Sequence, residues 1–205
     1  IVGESFPQPY NAGRAVRWDG ASLTDLGVLA GDIGAGANDI NDAGQICGTS
    51  MSDTGTFRPF IWTPSQGMQQ LSGITAGQAR AINSAGQVTG YIGDDHLGGP
   101  FTAYRWTAPG SVQPLGVLAG FQWSFGEGIN DTGNVAGWCR RSGGPDAAFL
   151  WTQAGGLMNL GSLGGGDADA RGLNNFNHVV GDSAGRAFLW RPGLGMIDLN
   201  TLLPP

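Results

Sequence analysis

Large apolar residues recur along the chain in short alternating runs, each bounded by Gly, Asn, Asp or Pro, and the runs follow one fixed order that repeats. Five of them end on tryptophan: RAVRW at Trp18, RPFIW at Trp62, TAYRW at Trp106, AAFLW at Trp151 and RAFLW at Trp190, spaced 44, 44, 45 and 39 residues apart. Each is preceded by a glycine-centred segment: IVGES from Ile1, ICGTS from Ile46, VTGYI from Val88, VAGWC from Val135 and VVGDS from Val179. Each is followed by a fragment related to x-x-D-L-G, such as LTDLG from Leu23, VQPLG from Val112 and MIDLN from Met196. A fourth phrase, A/G-x-I/L-N, precedes the glycine segment in four copies and ends at Asn41, Asn83, Asn130 and Asn174.

These phrases read as strands. In RAFLW, Phe188 and Trp190 lie two apart and face one side while Ala187 and Leu189 face the other, as expected of a strand sandwiched between sheets. After each A-x-I-N phrase stands a turn: NDAGQ from Asn41, NSAGQ from Asn83, NDTGN from Asn130 and the degenerate NNFNH from Asn174. Asn opens such a turn by bonding its own backbone, and Gly supplies the positive φ that closes a hairpin.

Four short strands in a unit of about 44 residues match the proportions of a propeller blade. The chain is therefore expected to be all-β, a β-propeller of about five four-stranded blades forming a single repeat domain over residues 1–205. Approximate blade limits are 1–32, 33–76, 77–120, 121–165 and 166–205. The A-x-I-N strand is placed innermost, then V-x-G, then x-F-x-W, with x-D-L outermost. Nineteen strands result, because the first blade lacks its innermost one. The alternative is a β-solenoid, whose repeats are usually shorter and need no hairpin in every unit.

The residues resemble the bacterial extracellular HAF repeats, named for the His-Ala-Phe that often starts the x-A-F-L-W strand. The resemblance is carried best by RAFLW (Arg186 to Trp190), LGSLGGGDADARGLN (Leu160 to Asn174) and INDAGQICG (Ile40 to Gly48), although the histidine is replaced by Arg, Thr or Ala in all five copies. It implies an exported bacterial protein, extracellular or on the cell surface. It also implies a further strand set after LNTLLPP, so the chain, which opens on Ile1, is expected to be a portion of something longer or to be completed by another molecule.

Composition narrows the function classes. Glycine is abundant, at 38 residues, and charged residues make up only 13% of the chain, which favours turns over long helices. A net charge of -6 with ten scattered Lys and Arg offers no basic stripe for nucleic acid or anionic membrane, and no apolar run reaches the eighteen residues of a spanning helix. Cys47 and Cys139 fall in different copies at different positions and are expected to be free thiols.

Candidate sites are few. Asn41, Asn83, Asn130 and Asn174 could ring a central channel, or simply open their hairpins. Asp94 and Asp95, with His96, sit in a long loop, and Asp167 and Asp169 in a Gly-rich connection, without the spacing of a calcium loop. Trp123, in the insertion FQWSF, and Trp138 break the repeat pattern and could stack sugar rings, or fill irregular core space. No nucleophile elbow, histidine pair or supported Cys and His pair occurs, so no catalytic residue, metal ligand or cofactor is assigned. The reading is a non-enzymatic structural or surface-interaction protein, with copies of itself as partners in a filament or ring. The alternative is a lectin-like propeller that binds surface glycans.

Overall fold

The structure is a computed structural model that describes residues 1–6, 12–94 and 98–202. Its regular structure is β, with one short 3₁₀ turn at Leu199–Leu202 and no α-helix among the described residues. The first sheet has three strands, β1 (Val2–Ser5), β2 (Arg14–Trp18) and β3 (Leu23–Gly27). Four four-stranded sheets follow. They are β4 (Asp32–Ile40) to β7 (Gly67–Gln70) through β5 (Ile46–Ser52) and β6 (Phe57–Thr63); then β8 (Gly77–Ile82), β9 (Val88–Ile92), β10 (Thr102–Thr107) and β11 (Ser111–Gly116). The last two are β12 (Trp123–Ile129), β13 (Val135–Arg140), β14 (Ala147–Thr152) and β15 (Gly156–Asn159), and β16 (Ala168–Leu173), β17 (Val179–Ser183), β18 (Arg186–Arg191) and β19 (Gly195–Asp198). Every sheet is an antiparallel meander in chain order, and each packs on the next, which makes the chain a β-propeller of five blades.

The hairpins form where the turn chemistry places them. Asn41 N–H donates to the Gln45 carbonyl at 3.0 Å and Gly44 N–H to the Asn41 carbonyl at 2.9 Å, and the same pair of bonds recurs at Asn83, Asn130 and Asn174. In the degenerate turn Asn177 takes the place of glycine with φ 59, a left-handed conformation that Asn tolerates better than most side chains. The turn therefore survives the loss of its glycine.

The core lies between sheets. One cluster joins Ala136, Ala148 and Leu150 of the fourth sheet to Val179, Phe188 and Trp190 of the fifth; another joins Cys47 of the second to Val88, Tyr104 and Trp106 of the third. One strand face thus packs backwards and the other forwards. The sandwich is incomplete at Arg186–Arg191, where Phe188 and Trp190 are buried but Ala187 is exposed; among the described residues no sheet packs on that face.

Both cysteines are free and buried. Burial holds the Cys47 thiol well above its ordinary pKa, with nearby Asp39 pushing the same way, and burial raises Cys139 to about 11. Neither is a thiolate at neutral pH, so neither is a nucleophile there.

Candidate functional site: the channel mouth and the two end faces

The hairpin ends of four sheets converge on a depression of about 320 Å³ lined by Asn41, Asn83, Asn130, Asn174, Asp131 and Asn175, among others. Each of the four repeat asparagines uses its carboxamide oxygen to close its own turn, accepting N–H of Gln45, Gln87, Asn134 or His178 at 2.8 to 3.0 Å. The carboxamide nitrogen does something the sequence did not reveal. Asn41 donates to the carbonyl of Asn83 at 2.9 Å, Asn83 to that of Asn130 at 2.9 Å, and Asn130 to that of Asn174 at 3.1 Å. The turn formers are also ties between blades.

Asp131 strengthens the same seam. It accepts Ser84 N–H and O–H from the third sheet and Asn175 Nδ2 from the fifth, and those bonds, Ser84 first, hold its carboxyl below the usual range. The polar groups of the mouth are thus largely matched to one another.

The five repeat tryptophans occupy equivalent strand positions but not equivalent surroundings. Trp106, Trp151 and Trp190 are buried, and Trp106 Nε1 donates to the Ser72 carbonyl at 3.1 Å. Trp62 is half-buried, while Trp18 is 45% exposed. Burial of the repeat tryptophan therefore falls off toward the first sheet.

Trp123 is not in a loop insertion but opens the innermost strand β12, half-buried and directly opposite Arg140. Trp138, on β13, is engaged by its own sheet: it stacks on Phe125 with centroids 4.2 Å apart, lies 4.7 Å from the Arg140 guanidinium, and donates Nε1–H to Glu127 at 3.1 Å. Phe125 in turn meets Tyr91 and Phe101 of the neighbouring blade, so these rings fill the space between the third and fourth sheets. Asp94 follows β9, and Asp95 lies outside the described residues, as does His96. Asp169 is on strand β16, not in the Gly-rich connection, whereas Asp167 precedes it.

A second set of positions went unnoticed in the sequence. In each of the four complete sheets the pairing of the innermost strand with its neighbour slips shortly before the repeat asparagine, leaving Asn38, Arg80, Glu127 and Arg171 as the extra residue of a bulge, and the second sheet slips once more at Ile33. They are the x of A-x-(A/G/D)-(I/L)-N and its Gly-led variant, and a polar residue at that fixed phase was the available signal. Asn38 reaches forward to the Ala79 carbonyl at 2.6 Å, and Arg171 bridges Asp169 at 3.0 Å and Asp182 at 3.2 Å. Burial, with the charges of Asp182 and Asp146, outweighs Arg171 and raises Asp169 to about 6.

The remaining distinctive surfaces are the two ends of the array. Ile46, Val88, Val135 and Val179, which begin their V-x-G strands, are fully buried, but Ile1 is 74% exposed. One residue later Cys47, Thr89 and Ala136 are buried, but Val180 is 46% exposed. Val180 lines an apolar hollow of about 350 Å³ with Leu173, Leu189 and His178, and Phe176 protrudes close by in sequence. Among the described residues the first and fifth sheets share no packed strand pair like those between neighbours. Among the described residues no three His, Cys, Asp or Glu are placed to hold a metal ion, and no helix is long and apolar enough to cross a membrane.

No family model and no curated protein matches the chain. Among solved structures it is similar to TolB from Acinetobacter baumannii, with a TM-score of 0.59 and 18% identity over 92% of this chain and 47% of that one. It is also similar to a puromycin-hydrolyzing peptidase of Mycobacterium tuberculosis, with a TM-score of 0.58 and 12% identity over 92% of this chain and 33% of that one. The chain therefore spans less than half the length of either protein, and the likeness is one of fold.

Proposed function

We propose that the chain is a non-enzymatic, extracellular structural or surface-interaction protein that associates with copies of itself through the outer faces of its first and fifth sheets. The observation that carries this reading is Val180. Its counterparts in the preceding three sheets are each covered by the next blade, so the fifth sheet presents to solvent a surface whose equivalents are interior elsewhere. The face offered by the first sheet, with Ile1 and Trp18 exposed, has the apolar make-up of the surfaces that cover those equivalents. A heterologous contact of this kind adds copies head to tail and gives a filament, or a ring if the rotation closes. The extracellular setting follows from the resemblance carried by RAFLW and INDAGQICG.

Light scattering after size exclusion, with electron microscopy of the same fractions, tests the reading. Assembly that grows with protein concentration and is lost in Val180→Asp, with the melting temperature kept, is the expected result. A monomer at several hundred micromolar overturns it.

A further inference from the structure

A hollow of about 210 Å³ lies beside the fourth sheet, at the end of the blades opposite the asparagine turns, and is lined by Phe121, Arg141, Pro145, Asn159, Ser162 and Gly165, among others. Every one of these residues belongs to the fourth sheet or to the connections on either side of it. One wall is the loop between β13 and β14, Arg141 to Asp146, six residues long where the fifth sheet makes the same turn with two, Ala184 and Gly185. The extra length is not needed to join the strands. It is nevertheless pinned at both ends. Gln122 N–H donates to the Arg140 carbonyl at 2.9 Å and Ser142 N–H to Gln122 Oε1 at 2.8 Å, while Asp146 N–H donates to Asp167 Oδ1 at 2.9 Å and Ala168 N–H to the Asp146 carbonyl at 3.1 Å. The wall is therefore set before any ligand arrives.

The other wall departs from the repeat. The connections after the first and third sheets read LGVLAG, from Leu26 and Leu115, whereas the one after the fourth reads LGSLGG from Leu160, which puts Ser162 where valine stands. Ser162 Oγ accepts Gly165 N–H at 3.1 Å and Asn159 Oδ1 accepts Gly161 N–H at 2.8 Å, so among the described residues each side chain keeps its own protons free. Arg141 lies over the Phe121 ring, 5.1 Å from its centre, and none of its N–H groups has a hydrogen-bond acceptor among the described residues. The carboxylate in the lining, Asp146, is already bonded to Arg140 Nε and Nη2 at 2.9 to 3.3 Å. What remains is a cationic fork, two neutral donors and an apolar wall of Phe121 and Pro145.

We propose that this hollow binds a hexuronic acid residue, with Arg141 pairing with its carboxylate and Asn159 and Ser162 donating to its hydroxyl oxygens. The C–H groups of the sugar lie against Phe121 and Pro145. A phosphate fits less well, because Arg140 is committed to Asp146 and the apolar wall would have nothing to cover. A neutral sugar would leave the Arg141 charge without a partner. At about 210 Å³, below the roughly 300 Å³ at which drug-sized pockets begin, the hollow admits one ring. The site is separate from the Val180 face and does not require the association proposed above.

The probes are methyl β-D-glucuronide and methyl β-D-glucoside, which differ only in a carboxylate against a hydroxymethyl group, with acetate as the bare carboxylate. Each is titrated into the 205-residue protein and followed by backbone amide shifts in nuclear magnetic resonance. Saturable binding of the glucuronide is expected, with the amides from Arg141 to Asp146 and from Gly161 to Gly166 shifting while that of Asn83 stays in place. The glucoside and acetate should each bind at least about tenfold more weakly, and Arg141→Ala should weaken the glucuronide by a similar factor, as the loss of a charge-assisted bond implies. Ser162→Val, which restores the repeat residue, should weaken it several-fold. Because Arg141 is exposed and makes no hydrogen bond among the described residues, Arg141→Ala keeps the melting temperature of the parent. No saturable glucuronide binding at high millimolar concentration, equal binding of the glucoside or of acetate, or equal binding by Arg141→Ala overturns the proposal. Glucuronide binding by a chain that stays monomeric would uphold this site while removing the association reading, and association without glucuronide binding would do the reverse.

Discussion

Asn83 Nδ2 donates to the main-chain carbonyl of Asn130, 2.9 Å away and out of contact with solvent, and so fastens the third sheet to the fourth at the end nearest the axis. The same carboxamide accepts Gln87 N–H at 2.8 Å and donates to Gln87 Oε1 at 2.8 Å. One side chain closes a turn and joins two sheets.

Asn83→Ala should therefore lower stability by about 2–3 kcal/mol, the cost of leaving several buried partners unmatched. Asn174→Ala should cost only about 1 kcal/mol, since its side chain serves its own turn, where Phe176 and His178 N–H are its donors. Urea unfolding of both variants checks the difference, and equal losses would show that the forward bond contributes nothing.

Gly137→Ala tests the close approach of strands. A methyl there would meet both the Phe125 carbonyl and the Phe149 ring, and the carbonyl belongs to a paired strand that cannot step aside cheaply. A loss of about 3 kcal/mol or more is expected. A drop below about 1 kcal/mol in thermal or urea unfolding would mean that the sheet can spread at this point.

Asp169 should leave a mark on the pH dependence of stability. Its folded pKa, about 6, lies above the ordinary 3.8, mainly because burial disfavours the charge. The native state then binds the proton more tightly than the unfolded chain. The contribution is fully present below about pH 4 and is lost as pH rises through 6, by at most about 3 kcal/mol. Asp169→Asn should remove that slope between pH 4 and 6. Urea midpoints at pH 4, 5, 6 and 7 give the comparison, and parallel slopes in parent and variant would contradict the assignment.

How much of this was legible in the sequence depends on whether a residue's reason is local. The strand order and the missing innermost strand followed from phrases repeated around Trp18, Trp62, Trp106, Trp151 and Trp190, because alternation and turn chemistry act within a few residues. The turn at Asn174 was read correctly even without glycine, since Asn177 tolerates the left-handed region. What failed involved the third dimension. A period of two hides a bulge, so Arg80, Glu127 and Arg171 passed unremarked, and Asp169 was read as loop because three glycines stand just before its strand. The forward bonds of Asn41, Asn83 and Asn130 cross between sheets 42 to 47 residues apart, beyond the reach of any local pattern.

Those three asparagine bonds all point the same way, from the second, third and fourth sheets to their successors. The array therefore has a direction, as a row of hooked links does, and its two extremities differ chemically even though the links are alike. Because each sheet is held mainly by its immediate neighbours, tension applied across the ends should peel the structure one sheet at a time, beginning at an end.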